Sequence, residues 1–177
     1  LNVYLRQQGT WNYDDFFAAR SLLEDNTSAS SSLTLRGGWT VGVTPTYASY
    51  AFDPSAYANT FVPVGNAAAP FQPSPRITTF TTAFSLATPR FARYDASVGM
   101  TGGNDVDFLE TSRVRRLDYN ASFDLRPTEQ IRIGATYLAS TFTRRSDDAR
   151  SMATYIPRLE VEYQLTRSIF FRVVSQY

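Results

Sequence analysis

The chain has 177 residues, 17 basic against 16 acidic side chains, no His, no Cys and a formal net charge of +1. The even charge balance excludes a basic nucleic-acid binder, and the lack of His and Cys removes Ser-His and Cys-His nucleophiles, thiol chemistry and the commonest metal ligand. No run of eighteen apolar residues is present, which excludes a helical membrane protein, although hydrophobic residues make up 43% and aromatics 15% of the chain.

In chain order, a period-two alternation of apolar and polar residues predicts nine strands: Leu1 to Gln7, Thr27 to Arg36, Trp39 to Phe52, Ile77 to Leu86, Phe91 to Gly102, Arg113 to Leu125, Gln130 to Phe142, Ala153 to Leu165 and Ile169 to Tyr177. The pattern is clearest in the sixth, where Leu117, Tyr119, Ala121, Phe123 and Leu125 alternate with Arg116, Asp118, Asn120, Ser122, Asp124 and Arg126. It recurs in the eighth, where Leu159, Val161, Tyr163 and Leu165 alternate with Arg158, Glu160, Glu162 and Gln164. Earlier strands carry lighter polar faces, as where Trp39, Val41 and Val43 alternate with Thr40, Gly42 and Thr44.

The connectors alternate in length. Gly37-Gly38, Ala87 to Arg90, Arg126 to Glu129 and Thr166 to Ser168 read as tight turns. Gln8 to Asn26, Asp53 to Arg76, Gly103 to Ser112 and Thr143 to Met152 read as long loops. An up-and-down barrel sorts such connectors to opposite rims, and an apolar face opposite a charged one calls for two solvents. Aromatics gather near predicted strand ends: Trp11, Tyr13, Phe16, Phe17, Tyr47, Tyr50, Phe52 and Tyr57 by the long loops, Trp39 and Phe91 by the short turns, where interfacial girdles belong.

The expected fold is therefore all-β, an antiparallel up-and-down transmembrane β-barrel with nine strands present in one segment spanning 1–177, in a bacterial outer membrane. Leu1 already reads as strand with no secretory signal before it, and the ninth strand would end on the same side as the long loops, so the chain is expected to be part of a larger barrel. Against that stands the final strand, whose Ile169, Phe171, Val173 and Tyr177 imitate the aromatic-ended last strand of outer-membrane proteins. The competing class is a soluble β-barrel or sandwich that binds an apolar ligand.

Without His, only carboxylate chemistry is open. Asp14-Asp15, Glu24-Asp25, Asp105-Asp107-Glu110 and Asp147-Asp148 fall in the predicted loops and read as solvated acids. Gly102 to Asp107 is the best calcium candidate but lacks EF-hand spacing, so no metal, cofactor or catalytic residue is assigned. The functional lead is the charged face: Arg116, Asp118, Asp124, Arg126, Arg132, Arg158, Glu160 and Glu162 are expected to line a lumen, wetting a pore or locking into ion pairs. The expected partners are the lipid bilayer and the remainder of the barrel or an associated chain.

Several phrases carry a resemblance: Trp11-Asn12-Tyr13-Asp14-Asp15-Phe16-Phe17, Leu33 to Trp39, Thr88-Pro89-Arg90-Phe91, Leu125-Arg126-Pro127-Thr128, Arg144-Arg145-Ser146-Asp147 and Ile156 to Leu165. They resemble the carboxyl-terminal domain of unknown function in bacterial envelope proteins that carry an amino-terminal carbohydrate-binding module similar to family nine. The resemblance implies a role beside carbohydrate binding or uptake. Members are often labelled membrane-associated hydrolases, so a hydrolase whose catalytic part lies outside this segment is a further alternative. No functional residue carries over, because the shared phrases are turns and strands.

Overall fold

A computed structural model describes all residues except 19–21 and 65–66, with the side chains of Asp14, Asp15 and Val64 also outside the description. Eleven strands run as β1 (Asn2–Thr10), β2 (Glu24–Thr34), β3 (Thr40–Ala51), β4 (Phe61–Val64), β5 (Ala67–Pro70), β6 (Arg76–Ala87), β7 (Tyr94–Asp107), β8 (Ser112–Leu125), β9 (Ile131–Arg144), β10 (Arg150–Gln164) and β11 (Phe170–Gln176). Nine of them form one antiparallel sheet in the order β1-β2-β3-β6-β7-β8-β9-β10-β11, and β4 and β5 pair only with each other. All nine expected strands are present as an up-and-down meander. No closed barrel is found: among the described residues β1 and β11 have no partner on their outer sides, so the nine strands form one open sheet with two free edges.

Two of the four expected long loops are also corrected. Gly103 to Asp107 belongs to β7, whose pairing with β8 runs to Asp107 opposite Ser112, and β9 and β10 leave only 145–149 between them. Glycines and short acids are poor strand formers in isolation, and here a complete cross-strand ladder overrides that preference. The connectors on this rim are 11–23, 52–75, 108–111 and 145–149, while 35–39, 88–93, 126–130 and 165–169 lie on the other. The first two long loops hold unexpected structure, a short helix α1 (Tyr13–Phe17) in one and the β4–β5 hairpin in the other. A 3-10 turn at Pro54–Tyr57 precedes that hairpin, capped by the Asp53 carboxylate, which accepts the Ser55 amide at 2.8 Å.

Gly37 and Gly38 have φ of 88° and 86°, a left-handed pair that lets the chain reverse between β2 and β3. Farther along, β6 and β7 pair only from Thr81 opposite Gly103 to Ala87 opposite Ser97. At Gly103, φ reaches 148° and β7 leaves β6. The gap above holds the small core of Phe52, Ile77 and Val106, against which Tyr50 and Tyr57 pack. The Tyr57 hydroxyl donates to the Phe108 carbonyl at 3.0 Å, and the Ser74 amide to the Thr111 hydroxyl at 3.0 Å, so the long connector is tied down onto the β7–β8 turn.

Register assigns every side chain of the nine strands to one of two faces. One carries Val3, Leu5, Leu33, Val41, Val43, Tyr47, Phe80, Phe84, Leu86, Val98, Met100, Tyr119, Phe123, Tyr137, Leu159, Val161, Tyr163, Phe171 and Val173. Among the described residues nothing covers it: Phe84 is 49% exposed, Tyr119 45% and Leu159 48%. The buried hydrophobic residues among those described are only Ala48, Phe52, Ile77, Val106, Val114 and Ala139. Burying one large apolar side chain is worth about 1.5–3 kcal/mol, so a water-exposed sheet of this kind forgoes more than the roughly 5–15 kcal/mol that holds an ordinary domain together.

Candidate functional site

The opposite face is polar, and it is divided laterally. On β2, β3 and β6 its middle is mostly small hydroxyl residues, including Ser28, Ser30, Ser32, Thr40, Thr44, Thr46, Thr81 and Ser85. The Thr44 and Ser30 hydroxyls are 3.2 Å apart across the β2–β3 pair. On β7 to β11 the same face is charged. Strand alternation alone places Arg116, Asp118 and Asp124 of β8, Arg132 of β9, and Arg158, Glu160 and Glu162 of β10 on it, and the carboxylate of Asp95 on this face holds Arg126, one residue past β8.

The expected lining residues meet as ion pairs. Arg116 sits between two carboxylates, with Nη1 at 2.7 Å from Asp105 Oδ2 and Nε at 2.6 Å from Asp118 Oδ2. The second oxygen of Asp118 accepts the Ser140 hydroxyl at 2.7 Å, and the Arg116 guanidinium lies 5.8 Å from the centre of the Phe142 ring. Arg132 forks onto Asp124, Nε to Oδ1 at 2.6 Å and Nη2 to Oδ2 at 2.9 Å. Glu160 receives Arg158 at 3.2 Å and Arg172 at 2.8 Å. Glu162 lies opposite Arg132 and Arg172 in register, with no direct ion pair among the described residues. Between these groups Asp124, Arg132, Gly134, Thr136, Arg158 and Glu160 enclose a polar cleft of about 260 Å³.

Asp95, Asp105, Ser140 and Arg172 belong to this network although sequence reasoning did not place them on the charged face. The signal was there for Asp95 and Asp105, which alternate with Tyr94, Ala96, Val98, Met100 and Val106, and for Arg172, which sits between Phe171 and Val173. Asp105 was expected in a loop, so its parity carried no meaning until β7 was seen to continue.

Asp107, Glu110 and Asp147 are occupied in building turns. Asp107 accepts the Leu109 and Glu110 amides at 2.9 and 3.2 Å. Glu110 holds Arg144 through both oxygens, at 2.6 and 2.9 Å, and Asp147 takes the same guanidinium at 3.0 Å. The Ala149 amide, together with Arg144, holds the Asp147 carboxyl below its ordinary pKa. Among the described residues no group of three acids is placed to hold a metal ion, which includes the calcium candidate Gly102 to Asp107. The paired acids Asp14 and Asp15 fall among the side chains outside the description.

The arrangement can hold water and charge against a polar wall and has no nucleophile–base pair. Its energetics lead to a ranking. Arg116→Ala strands two carboxylates on neighbouring strands and is expected to cost about 1–2 kcal/mol, discounted because the side chain is 38% exposed. Arg132→Ala, at 56% exposure, is expected to cost less than about 1 kcal/mol. Urea unfolding in detergent micelles checks the order, and equal midpoints for the two variants would deny the Arg116 cluster any special weight. Family models, curated proteins and solved structures offer no match to this chain.

Proposed function

We propose that this chain forms part of the wall of a β-barrel in a bacterial outer membrane, with its apolar face toward lipid and its ion-paired face toward an aqueous lumen. The observation that carries the reading is the uncovered apolar face running across all nine strands of a sheet with almost no core of its own. Hydrocarbon is the solvent in which such a face is stable, and strands of 12 to 15 residues, as β3 and β6 to β10 are, are long enough to cross it when tilted. The free sides of β1 and β11 then pair with the remainder of the barrel or an associated chain, since open edges are not stable in lipid.

The ion-pair network supports a role as envelope anchor or pore, and the family resemblance extends this to service beside carbohydrate binding or uptake. The two tryptophans provide the test. Trp11 lies against Gly9 at the end of β1 on the long-loop rim, and Trp39 borders β3 at the short-turn rim. In vesicles whose acyl chains carry bromine, both are expected to be quenched more strongly by shallow than by mid-chain bromine. A protein that stays monomeric without detergent, with neither tryptophan quenched, would refute the membrane reading. Conductance across a planar bilayer separates pore from anchor.

A further inference from the structure

The two rims differ sharply in charge. The connectors of the short-turn rim, 35–39, 88–93, 126–130 and 165–169, carry Arg36, Arg90, Arg93, Arg126 and Arg167 against the single acid Glu129. Those of the opposite rim carry six acids, Asp14, Asp15, Asp53, Glu110, Asp147 and Asp148, against two arginines. Arg126 is held by Asp95, but Arg36, Arg90, Arg93 and Arg167 are exposed and make no ion pair among the described residues. Of the four, Arg90 alone acts on the polar face, where its charge adds to the field of Arg132 and Arg126 on the Asp124 carboxylate.

We propose that the short-turn rim is an electrostatic docking surface for anionic phospholipid headgroups, so that the leaflet on that side is selected by its charge. The inference rests on the membrane reading above and adds to it a lipid class and an orientation. Three features favour a lipid surface over a single bound anion. The unpaired arginines stand on three separate turns, and successive turns along the rim are two strands, about 10 Å, apart, which spreads them along a line as a field of headgroups requires. Of the four only Arg93 lines a cleft, shared with Arg126 and Arg132 but also with Glu129 and Glu162, whose carboxylates oppose an anion there. Every basic residue of the chain is arginine, whose planar fork matches phosphate oxygens in pairs.

The experiment compares the full chain with a variant carrying Arg36→Gln, Arg90→Gln, Arg93→Gln and Arg167→Gln, using phosphatidylcholine vesicles with and without phosphatidylglycerol. The unaltered protein is expected to associate at least tenfold more with the anionic vesicles at low salt, about fivefold per arginine being the scale of such contacts, and the advantage should shrink as salt is added. The variant should lose the preference while still inserting into phosphatidylcholine. Lysine at the same four positions should retain most of the preference, which separates lost charge from lost folding. An unaltered protein that inserts equally into both vesicles, or a glutamine variant that keeps the preference, overturns the proposal and leaves the membrane reading standing. Failure to insert into either vesicle by a protein that stays folded and monomeric without detergent removes the membrane reading and this proposal with it. Stronger binding to soluble polyphosphate than to vesicles would assign the rim to a soluble polyanion and likewise overturn the proposal.

Discussion

Tyr119→Arg or Val161→Arg should block assembly into membranes, whereas Asp118→Ala should leave it intact. Tyr119 sits near the middle of β8 and Val161 three residues before the end of β10, both on the apolar face, 45% and 37% exposed. An arginine on the lipid side of a barrel costs about 2–4 kcal/mol at the bilayer midplane and less toward the interfaces, so Tyr119→Arg should lower the inserted fraction by a factor of roughly 30 to 1,000 and Val161→Arg by a smaller factor. Asp118 is the neighbour of Tyr119 in sequence but points the other way, into the ion pairs, where its loss leaves Arg116 still held by Asp105. The readout is the fraction recovered with vesicles after dilution from urea. Efficient insertion of both arginine variants together with failure of Asp118→Ala would reverse the assignment of the two faces. A soluble β-sandwich with an apolar interior would instead unfold all arginine variants in the absence of any membrane, so unfolding in lipid-free buffer tells the classes apart.

The largest effect on folding is expected from a single methyl group at Gly103. A Cβ there would stand 2.2 Å from the Phe80 carbonyl oxygen and 2.7 Å from Thr81 Cα, both backbone atoms of β6, at a φ of 148° that L side chains rarely adopt. Backbone cannot swing aside as a flexible side chain can, so Gly103→Ala must part β6 from β7 or undo the bend, at a cost of about 3 kcal/mol or more. Gly102→Ala is the control: its methyl would meet only Leu117 Cδ1 at 3.7 Å, in ordinary contact, with no unusual φ. Folding yields and unfolding midpoints in micelles should separate the two neighbours clearly, and similar values would mean that the divergence of β6 and β7 at Gly103 is not needed for the fold.

Most of the architecture was legible because the alternation is a direct image of the pleat. Wherever one face is aromatic or branched, as at Tyr119-Ala121-Phe123 or Leu159-Val161-Tyr163, period two leaves no other reading. The ends of β7, β9 and β10 were not legible, since Gly102-Gly103-Asn104-Asp105 looks like a loop unless its partners Arg115, Arg116 and Leu117 are known. The same blindness hid part of the site. Arg116 and Asp118 could be seen to share a face from their own strand, but that Asp105 and Ser140 complete the cluster depends on register between strands, which no single strand contains. The β4–β5 hairpin was missed because Phe61 to Pro70 holds two prolines and a run of alanines and lacks a long alternating stretch. Closure is a different matter: the pattern of one face specifies a meander but says nothing of what pairs with its two edges.

The order of strands also has a kinetic side. Every pairing in the large sheet joins strands linked by a brief connector except two, and the longest detour is residues 52–75, which must be closed before β3 can reach β6. Lengthening a connector from about 5 residues to the two dozen found here adds about 1.4 kcal/mol of closure entropy, roughly a tenfold slowing of that one event. Strands β6 to β11, joined throughout by close neighbours, therefore zip hairpin by hairpin ahead of that step. Strands β1 to β3 are expected to join afterward across the β3–β6 seam, the pairing with the largest closure cost in the sheet.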